Sequence, residues 1–320
     1  MKKLVLALSL LGFFNVAAAQ EFPSRPITFV VPFSPGGTTD PAARLVAGMV
    51  AESVKQPVVV ENKAGGAGVP AAMYVKQAAP DGYTVMMGHV GTHAVNASLY
   101  SKLPYDPVKD FQPITLMNKS GFVLVVPVES SARNMRELVE LAKTKPGGVT
   151  FASQGTGTGG HLLGEMLKTQ AGAGTFLHVP YKGAGPAATD LIAGRVDMYF
   201  DSLALSGRFA REGRARALAI ASKTRHPLFP EVPTTAEAGY PGIEYETWFG
   251  ILAPRGTPDP IVRKLNAEFT RVLKSAAVVK YFSDQGLDAL SSTPEEFAQL
   301  ISTEVARLGK VVQQTGARVD

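Results

Sequence analysis

The 320-residue sequence contains no cysteine. This absence excludes disulfides, iron–sulfur clusters, thiolate zinc sites and cysteine nucleophiles. The chain also has no run of five like charges. Its formal net charge of +5 is spread along the sequence, which gives nucleic-acid binding little support. Because 45% of the residues are hydrophobic and 18% are charged, the composition is that of a globular protein with large cores, and the length fits two domains.

Long hydrophobic runs are also missing, since no segment after the N-terminus supplies the about 18 uncharged apolar residues that cross a bilayer. The N-terminus has the three parts of a secretory signal: a basic start at 1–3, an apolar run at 4–14 and an Ala-Ala-Ala site at 17–19. We predict a cleaved signal peptide at 1–19, with a buried N-terminal helix as the alternative. Its removal leaves 30 basic and 27 acidic residues, a net charge of +3. The predicted destination is an oxidising compartment such as a bacterial periplasm.

Strand and helix patterns alternate through the first half of the chain, and the same order begins again at residue 149. This alternation predicts right-handed βαβ units on parallel sheets. We therefore expect an α/β fold in which two similar lobes face each other across a cleft. Two separate strands are predicted at 111–117 and 122–128. Residues 258–275, 278–286 and 294–316 read as C-terminal helices. The last of these opens with an N-cap at Thr293, a proline in the first turn at Pro294 and the acidic residues Glu295 and Glu296.

A glycine-containing turn follows the first predicted strand, Ile27 to Val31. The sequence Pro-Phe-Ser-Pro-Gly-Gly at 32–37 continues neither a strand nor a helix. Thr38, Thr39 and Asp40 then offer side chains that cap the start of a helix. Such a turn presents free backbone N–H groups at the positive end of a helix dipole, which suits a carboxylate or a phosphate. The alternative is a plain strand-to-helix connection.

A second turn of this kind, at 155–160, has the spacing G-x-G-x-x-G between a strand and a helix. This spacing is also that of a dinucleotide fingerprint. The next strand ends at Tyr181 rather than at the acidic residue that would bind a ribose, which argues against a dinucleotide. The turn still suits an anion, because the hydroxyls of Ser153, Thr156 and Thr158 converge with glycine N–H groups at a helix start.

Four further polar residues have alternative interpretations. His161 opens the helix after the second turn and either donates to an anion or packs. Asp201 ends a predicted strand and either receives a ligand amine or hydroxyl or caps the following turn. His89 and His93 are four residues apart without a carboxylate in a metalloprotease spacing, so packed or solvated histidines are expected rather than a metal pair. No G-x-S-x-G or Walker sequence occurs.

Short motifs in a fixed order resemble the substrate-binding proteins of tripartite tricarboxylate transporters, also called Bug receptors. The resemblance covers nearly the whole chain after the signal segment. The matching stretches are Pro23-Ser24-Arg25-Pro26-Ile27, Val31-Pro32-Phe33 with Gly36-Gly37 and Asp40, Val58-Val59-Val60-Glu61-Asn62, Pro80-Asp81-Gly82-Tyr83-Thr84, Ala152-Ser153 with Gly155, Gly157-Thr158 and His161-Leu162, Val179-Pro180-Tyr181-Lys182-Gly183, Pro230-Glu231-Val232-Pro233-Thr234 with Glu237-Ala238-Gly239, and Trp248-Phe249-Gly250 with Ala253-Pro254.

The resemblance implies a type II periplasmic-binding-protein fold, with two α/β lobes joined by two crossovers. Lobe one is then discontinuous, at 20–121 and 246–320, and lobe two lies at 122–245. It implies a receptor without catalytic residues that captures a small organic acid for the membrane permease of the transporter. We expect no cofactor, no metal, no nucleic-acid partner and a monomer. A ligand sensor for a membrane signalling protein fits the same features, and a secreted enzyme that uses the G-x-G-x-x-G turn is the other alternative.

The ligand residues implied by the resemblance lie in the turns of both lobes. The departure from the family pattern is Pro35, where alanine is usual, because proline removes one N–H donor from the first turn. The expected ligand-binding residues are Phe33, Ser34, Gly36, Gly37, Thr38, Thr92, Ser153, Gly155, Thr156, Gly157, Thr158, His161, Tyr181 and Asp201.

Overall fold

The structure is a computed structural model that describes residues 22–35, 39–172, 174–181, 183–316 and 318–319. The predicted signal peptide and three of the expected ligand residues, Gly36, Gly37 and Thr38, lie outside the described residues. Within the described part, no helix is long and apolar enough to cross a membrane.

The described residues form strands and helices that alternate along most of the chain. The strands are β1 (Ile27–Val31), β2 (Val58–Asn62), β3 (Thr84–His89), β4 (Phe111–Val126), β5 (Val149–Ser153), β6 (Phe176–Pro180), β7 (Met198–Ser202), β8 (Arg216–Ile220), β9 (Glu246–Pro254) and β10 (Asp288–Ala289). The helices are α1 (Thr39–Val54), α2 (Val69–Lys76), α3 (Asn96–Leu99), α4 (Met135–Thr144), α5 (Gly159–Ala171), α6 (Ala184–Ile192), α7 (Arg208–Arg211), α8 (Asp259–Leu273), α9 (Ala276–Asp284) and α10 (Pro294–Thr315).

The strands make two lobes that share β4. In lobe one the strand order is β2-β1-β3-β9-β4, with β10 on the far edge of β4. In lobe two the order is β6-β5-β7-β4-β8. The pairing of β4 changes after Gly121, because residues up to Gly121 pair with β9 and those from Phe122 pair with β7 and β8. The two-lobe α/β fold predicted from the sequence is confirmed.

Two details of the predicted strands are wrong. The sheets are mixed rather than parallel, because β9 runs antiparallel between β3 and β4, and β4 runs antiparallel between β7 and β8. The strands predicted separately at 111–117 and 122–128 are the single strand β4. The polar residues between them do not form a turn, because Asn118, Lys119 and Ser120 pair in register with β9.

The helix α10 packs against both lobes. Its buried residues Leu308 and Val312 belong to the same apolar cluster as Leu99 of lobe one and Leu162 of lobe two. The start of α10 carries the predicted cap. The Thr293 hydroxyl accepts a hydrogen bond from the backbone N–H of Glu296, and the Glu296 carboxylate accepts one from the backbone N–H of Thr293. Burial of this helix therefore adds apolar contact with residues of both lobes.

Candidate functional site

The two lobes place corresponding turns at the carboxyl ends of their parallel strands. The turn after β1 and the turn after β5 each follow the second strand of the sheet order, and each leads into a helix. The third strands, β3 and β7, each end in a π-helical turn, at Gly91–Val95 and Leu203–Gly207. Carboxyl ends of parallel strands lie at one edge of a sheet, and ligands of open α/β sheets bind outside that edge. The expected ligand residues that the structure describes follow or end these strands, except Tyr181, which follows β6.

The turn after β1 is held by the side chain of Asn62. Its Nδ2 donates to the Phe33 carbonyl at 2.9 Å and to Asp40 Oδ1 at 2.9 Å. Its Oδ1 accepts from Arg44 Nη2 at 3.0 Å, while Arg44 Nε donates to Asp40 Oδ2 at 3.0 Å. Bonds that involve charged groups are stronger than neutral ones. The amide therefore ties the beginning of the turn to the beginning of α1.

An aromatic group lies beside this turn and contains the expected ligand residue Phe33. The Phe33 and His89 ring centroids are 4.9 Å apart, and the Phe249 ring is 6.0 Å from Phe33 and 5.9 Å from His89. All three side chains are half-buried, whereas Ser34 and Pro35 are exposed. The turn thus combines an exposed polar tip with a partly exposed aromatic wall.

Thr92 points inward and makes only internal contacts. Its side chain is fully buried, and its hydroxyl donates to the His89 carbonyl at 3.1 Å and lies 2.8 Å from His93 Nδ1. The Thr92 carbonyl accepts from the Tyr105 hydroxyl at 2.7 Å. Burial lowers the pKa of His93 to about 3. The pair His89 and His93 is packed, and no group of three metal-ligating side chains occurs in the described part of the chain.

The turn after β5 is held by neutral groups. Ser153 is fully buried, and its hydroxyl accepts the Gly155 N–H at 3.1 Å, donates to the Gly155 carbonyl at 3.0 Å and lies 2.7 Å from His178 Nε2. The Thr158 hydroxyl donates to the same carbonyl at 2.7 Å. Both hydroxyls therefore shape the turn, and their side chains contact its backbone.

His161 and His178 form a stack behind this turn. Their ring centroids are 4.0 Å apart, and Phe151 continues the stack 4.9 Å from His178. The Gly157 N–H donates to His161 Nδ1 at 3.0 Å, so the proton of the neutral ring lies on Nε2. Burial lowers the pKa of His161, and burial with the adjacent imidazole lowers that of His178 to about 4. Both rings are neutral at pH 7.

Free N–H groups remain in the second turn, one on the exposed Thr156 and two on the buried Gly159 and Gly160. Among the described residues, the backbone N–H groups of Thr156, Gly159 and Gly160 have no hydrogen-bond partner. A Cβ on Gly160 would lie 2.6 Å from the Phe200 carbonyl oxygen, and one on Gly159 would lie 2.5 Å from the Tyr245 ring. The helix start is therefore packed so closely that only glycine fits there. These donors stand at the positive end of α5, where an anion is stabilised.

Asp201 lies at the end of β7 with its carboxylate directed into the lobe. Only 1% of its surface is exposed, and it accepts from Gln154 Nε2 at 2.7 Å and from the Ser206 hydroxyl at 2.7 Å. Burial raises the pKa of Asp201, which these donors partly oppose. Two neighbouring buried atoms, Gln154 Oε1 and the Tyr199 hydroxyl oxygen, have no hydrogen-bond partner among the described residues. Asp201 thus holds the π-helical turn and the residue that opens the second turn.

Tyr181 follows β6 and is half-buried. Its hydroxyl donates to Asp190 Oδ2 at 2.8 Å, and Arg195 donates to the other oxygen of the same carboxylate at 2.8 Å. The ring, rather than the hydroxyl, is the part of Tyr181 left for a ligand.

The two lobes touch where the second turn meets α3. A Cβ on Gly157 would lie 2.3 Å from Leu99 Cδ2, so the glycine leaves room for this leucine. Within the described residues, no hydrogen bond or ring contact joins Phe33 or Ser34 to the second turn. The structure therefore brings the second turn against lobe one through Leu99.

Some residues that shape the site carried no role in the sequence predictions. Asn62 and His178 lie on the strands next to β1 and β5, in parallel register with the residues before each turn. Gln154 was only the first residue of a glycine turn. A polar residue at the carboxyl end of a neighbouring parallel strand is the signal that marks Asn62, because adjacent strands end at the same edge.

Comparison with known proteins gives the family. The family model described as the tripartite tricarboxylate transporter family receptor, TctC, matches residues 42–317. The protein BugT of Bordetella pertussis is 38% identical over 303 residues, which are 94% of this chain and 93% of BugT. The chain belongs to the TctC, or Bug, receptor family. The resemblance found in the sequence motifs is thereby confirmed.

Solved structures of family members superpose on this chain. Rpa4515 of R. palustris, solved with adipate, is 36% identical with a TM-score of 0.85 and covers 93% of this chain and 99% of its own. MatC from Rhodopseudomonas palustris, solved with bound malate, is 37% identical with a TM-score of 0.81 and covers 91% of this chain and 100% of its own. The family is one of periplasmic solute-binding proteins, and the two-lobe fold of this chain is theirs.

Proposed function

We propose that this protein is a periplasmic receptor that captures a small carboxylate between its lobes and delivers it to the permease of a tripartite tricarboxylate transporter. The observation that carries the proposal is the start of α5, where the N–H groups of Thr156, Gly159 and Gly160 are free beside a tightly packed glycine turn. Relatives of this chain have been solved with adipate and with malate. The proposal assigns the protein no catalysis.

In the proposed mechanism the ligand carboxylate accepts hydrogen bonds from the free N–H groups of lobe two, while lobe one covers the ligand. The lobes close by bending where β4 and β9 pass between them, as hinge motions in two-lobed binding proteins do. The described part of the second turn offers only uncharged donors, because His161 and His178 are neutral at pH 7. Closure therefore depends on backbone donors that are already oriented in the free protein.

Calorimetric titration of the mature chain with adipate and malate, beside their diamide analogues, tests this binding. We expect the acids to bind and the amides not to. Gly160→Ala should weaken binding at least tenfold, because its Cβ would meet the Phe200 carbonyl oxygen at 2.6 Å and displace the helix start. The matched control is Gly185→Ala, whose Cβ meets nothing within 4 Å. Equal affinities in the wild type and Gly160→Ala, with both folded by circular dichroism, would place the ligand elsewhere.

Delivery and location need cellular measurements. We expect the protein in the periplasmic fraction with its N-terminus near Gln20. Uptake of the bound acid should stop when the permease genes are deleted, while the purified receptor still binds. Unchanged uptake after that deletion, together with a membrane kinase recovered by crosslinking, would favour the sensor alternative.

A further inference from the structure

The π-helical turn Leu203–Gly207 of lobe two begins where β4 passes from one lobe to the other. Ser202, the last residue of β7, pairs with Phe122, and Gly121 is the last residue of β4 that pairs with β9. Turns of this kind are rare and frequently occur at functional sites. The turn therefore lies at the hinge of the proposed mechanism, although none of its residues belongs to the expected ligand site.

The turn packs closely against the hinge and against lobe one. A Cβ on Gly121 would lie 3.1 Å from Leu203 Cδ1, so this leucine packs on the residue at which β4 changes lobes. Gly286, which precedes β10 in lobe one, lies against the backbone of the turn, because a Cβ there would be 3.3 Å from the Ala204 nitrogen. The Gly286 carbonyl also accepts from the buried Ser120 hydroxyl of β4 at 3.2 Å. A rotation of lobe one about β4 therefore moves groups that contact this turn.

Asp201 connects the same turn to the proposed carboxylate site. Its Oδ2 accepts at 2.7 Å from the hydroxyl of Ser206, a residue of the π-helical turn, and its Oδ1 accepts at 2.7 Å from Gln154 Nε2. Gln154 opens the second turn. The start of α5 also packs closely on the end of β7, since a Cβ on Gly160 would lie 2.6 Å from the Phe200 carbonyl oxygen. A ligand that displaces the second turn therefore displaces Asp201 and the π-helical turn bonded to it.

Burial makes this connection stiff. Asp201 is 1% exposed and Ser206 is fully buried, so water does not replace either partner when their contact is stretched. Close-packed interiors transmit strain, because they contain few voids that could absorb a displacement. The second turn and the hinge are thus joined by a continuous set of contacts within lobe two.

We infer that the turn Leu203–Gly207 couples capture of the carboxylate to bending at the hinge, with Asp201 as the positioning residue that joins it to the second turn. This inference rests on the proposed function, because a ligand on the second turn supplies the displacement. The shift moves the π-helical turn against Gly121 and Gly286 and favours the arrangement in which lobe one covers the ligand. A protein without the connection still binds the acid, but its lobes close less completely.

The experiment measures closure directly. Because the chain has no cysteine, two introduced cysteines can be spin-labelled without background. The exposed residues Glu52 on α1 and Arg136 on α4 take one label in each lobe, as Glu52→Cys and Arg136→Cys. Pulsed electron paramagnetic resonance gives the distance between the labels with and without saturating adipate or malate. We expect an acid that binds to shorten this distance.

Ser206→Ala removes the connection at the π-helical turn and leaves the N–H groups of the second turn in place. At a saturating concentration of the acid, we expect at least half of the ligand-dependent change in distance to be lost. The affinity measured by calorimetry should fall about three- to tenfold, because the closed form is less populated. Gln154→Leu breaks the connection at its other end, and the double variant should lose no more than either single variant.

The matched control is Ser130→Ala, which makes the same chemical change in the loop after β4, where the hydroxyl accepts the Ala132 N–H at 3.3 Å. Its closure and affinity should equal those of the wild type. If Ser206→Ala does not fold by circular dichroism, Gln154→Leu serves instead, since Gln154 is half-buried. Its expected result is the same loss of closure.

The outcomes separate this inference from the proposed function. Full shortening in the folded variants, additive losses in the double variant, or binding without any shortening in the wild type would show that the turn does not couple the ligand to the hinge. The carboxylate receptor stands in each of these cases. If neither acid binds, an acid found by thermal-shift screening replaces them, and if none binds, the proposed function and the coupling both fail.

Discussion

The turns after β1 and β5 occupy corresponding places in the two lobes, yet different chemistry holds them. In lobe one an amide, a carboxylate and a guanidinium form a ring of hydrogen bonds around Asn62. In lobe two a buried hydroxyl and two stacked imidazoles support the turn, with every group neutral at pH 7. The first turn is thus held by an ion pair with an amide, and the second by a hydroxyl with neutral rings.

The difference shows that the groups that hold a turn in place and the groups that bind an anion have separate requirements for charge. The two imidazoles behind the second turn are neutral at pH 7, so they add no charge of their own to the field of the helix start. The ion pair of lobe one is placed on the outer side of its turn, where Arg44 is exposed.

Asn62→Ala should have the largest effect on this comparison. It removes the partner of the Phe33 carbonyl and one partner each of Asp40 and Arg44, and we expect the free energy of unfolding to fall by about 2–3 kcal/mol. Urea unfolding measures it. Asn62→Asp is the sharper control, because it keeps the size but sets a second carboxylate beside Asp40. The loss of unfolding free energy in Asn62→Asp should be smaller at low pH, where the carboxylates are protonated. A loss below about 0.5 kcal/mol for Asn62→Ala would show that the Asn62 side chain does not stabilise the first turn.

Ser153→Ala should cost less, because the groups that it leaves unpaired are neutral. The Gly155 N–H and His178 Nε2 each lose a partner, and we expect the free energy of unfolding to fall by about 1–2 kcal/mol. Ligand affinity should fall with it, since the turn loses its anchor. Ser153→Thr keeps the hydroxyl and is the comparison for size. Full affinity in a double variant that also removes the Thr158 hydroxyl would show that the turn does not bind the ligand.

Acidification should act on the second turn through its histidines. The pKa values of His161 and His178 are lowered in the folded protein, so between pH 6.5 and about pH 4 the unfolded chain binds more protons and stability falls as pH falls. Discounted for the partial exposure of His178, we expect about 1 kcal/mol from this ring. His178→Gln should flatten the pH dependence of the melting temperature between pH 7 and 4.5. An unchanged slope in His178→Gln would contradict this role.

Gly185→Ala gives the smallest effect and the opposite sign. Gly185 lies in the first turn of α6 with open space around its Cβ position, in contrast to Gly160 at the start of α5. Alanine loses less backbone entropy on folding, so we expect a gain of about 0.5 kcal/mol. A thermal melt measures it. A loss instead would show that close packing extends from the second turn to α6.

Local patterns were enough to predict the positions of both turns and the helices that follow them. The run Ile27–Val31 is a strand in the structure, and the cap at Thr293 opens α10 as expected. These features depend on neighbours in the sequence, which makes them readable from it. The expected residues Gly36, Gly37 and Thr38 remain predictions, as does the division of the lobes at residues 122 and 246.

The same local patterns could not predict pairing between strands that are distant in the sequence. Whether Asn118 to Ser120 form a turn or continue a strand depends on β9, which is more than a hundred residues away in the sequence. The direction in which each side chain points could not be predicted from the sequence either. Thr92 follows β3, Ser153 ends β5 and Asp201 lies near the end of β7, and all three are buried and bonded inside their lobes. Their roles as ligand contacts are untested, and the structure gives each one a role in supporting a turn.

The sharing of β4 and the late return of β9 also set the order in which the lobes can be completed as the chain emerges. Strands β4 to β8 are consecutive in sequence, so lobe two has its whole sheet once Ile220 is available. In lobe one β9 separates β3 from β4, and the edge of β3 stays unpaired until Pro254 has emerged. An exposed strand edge invites pairing with other chains. The N-terminal lobe is therefore the part of a newly synthesised chain that depends longest on protection from aggregation.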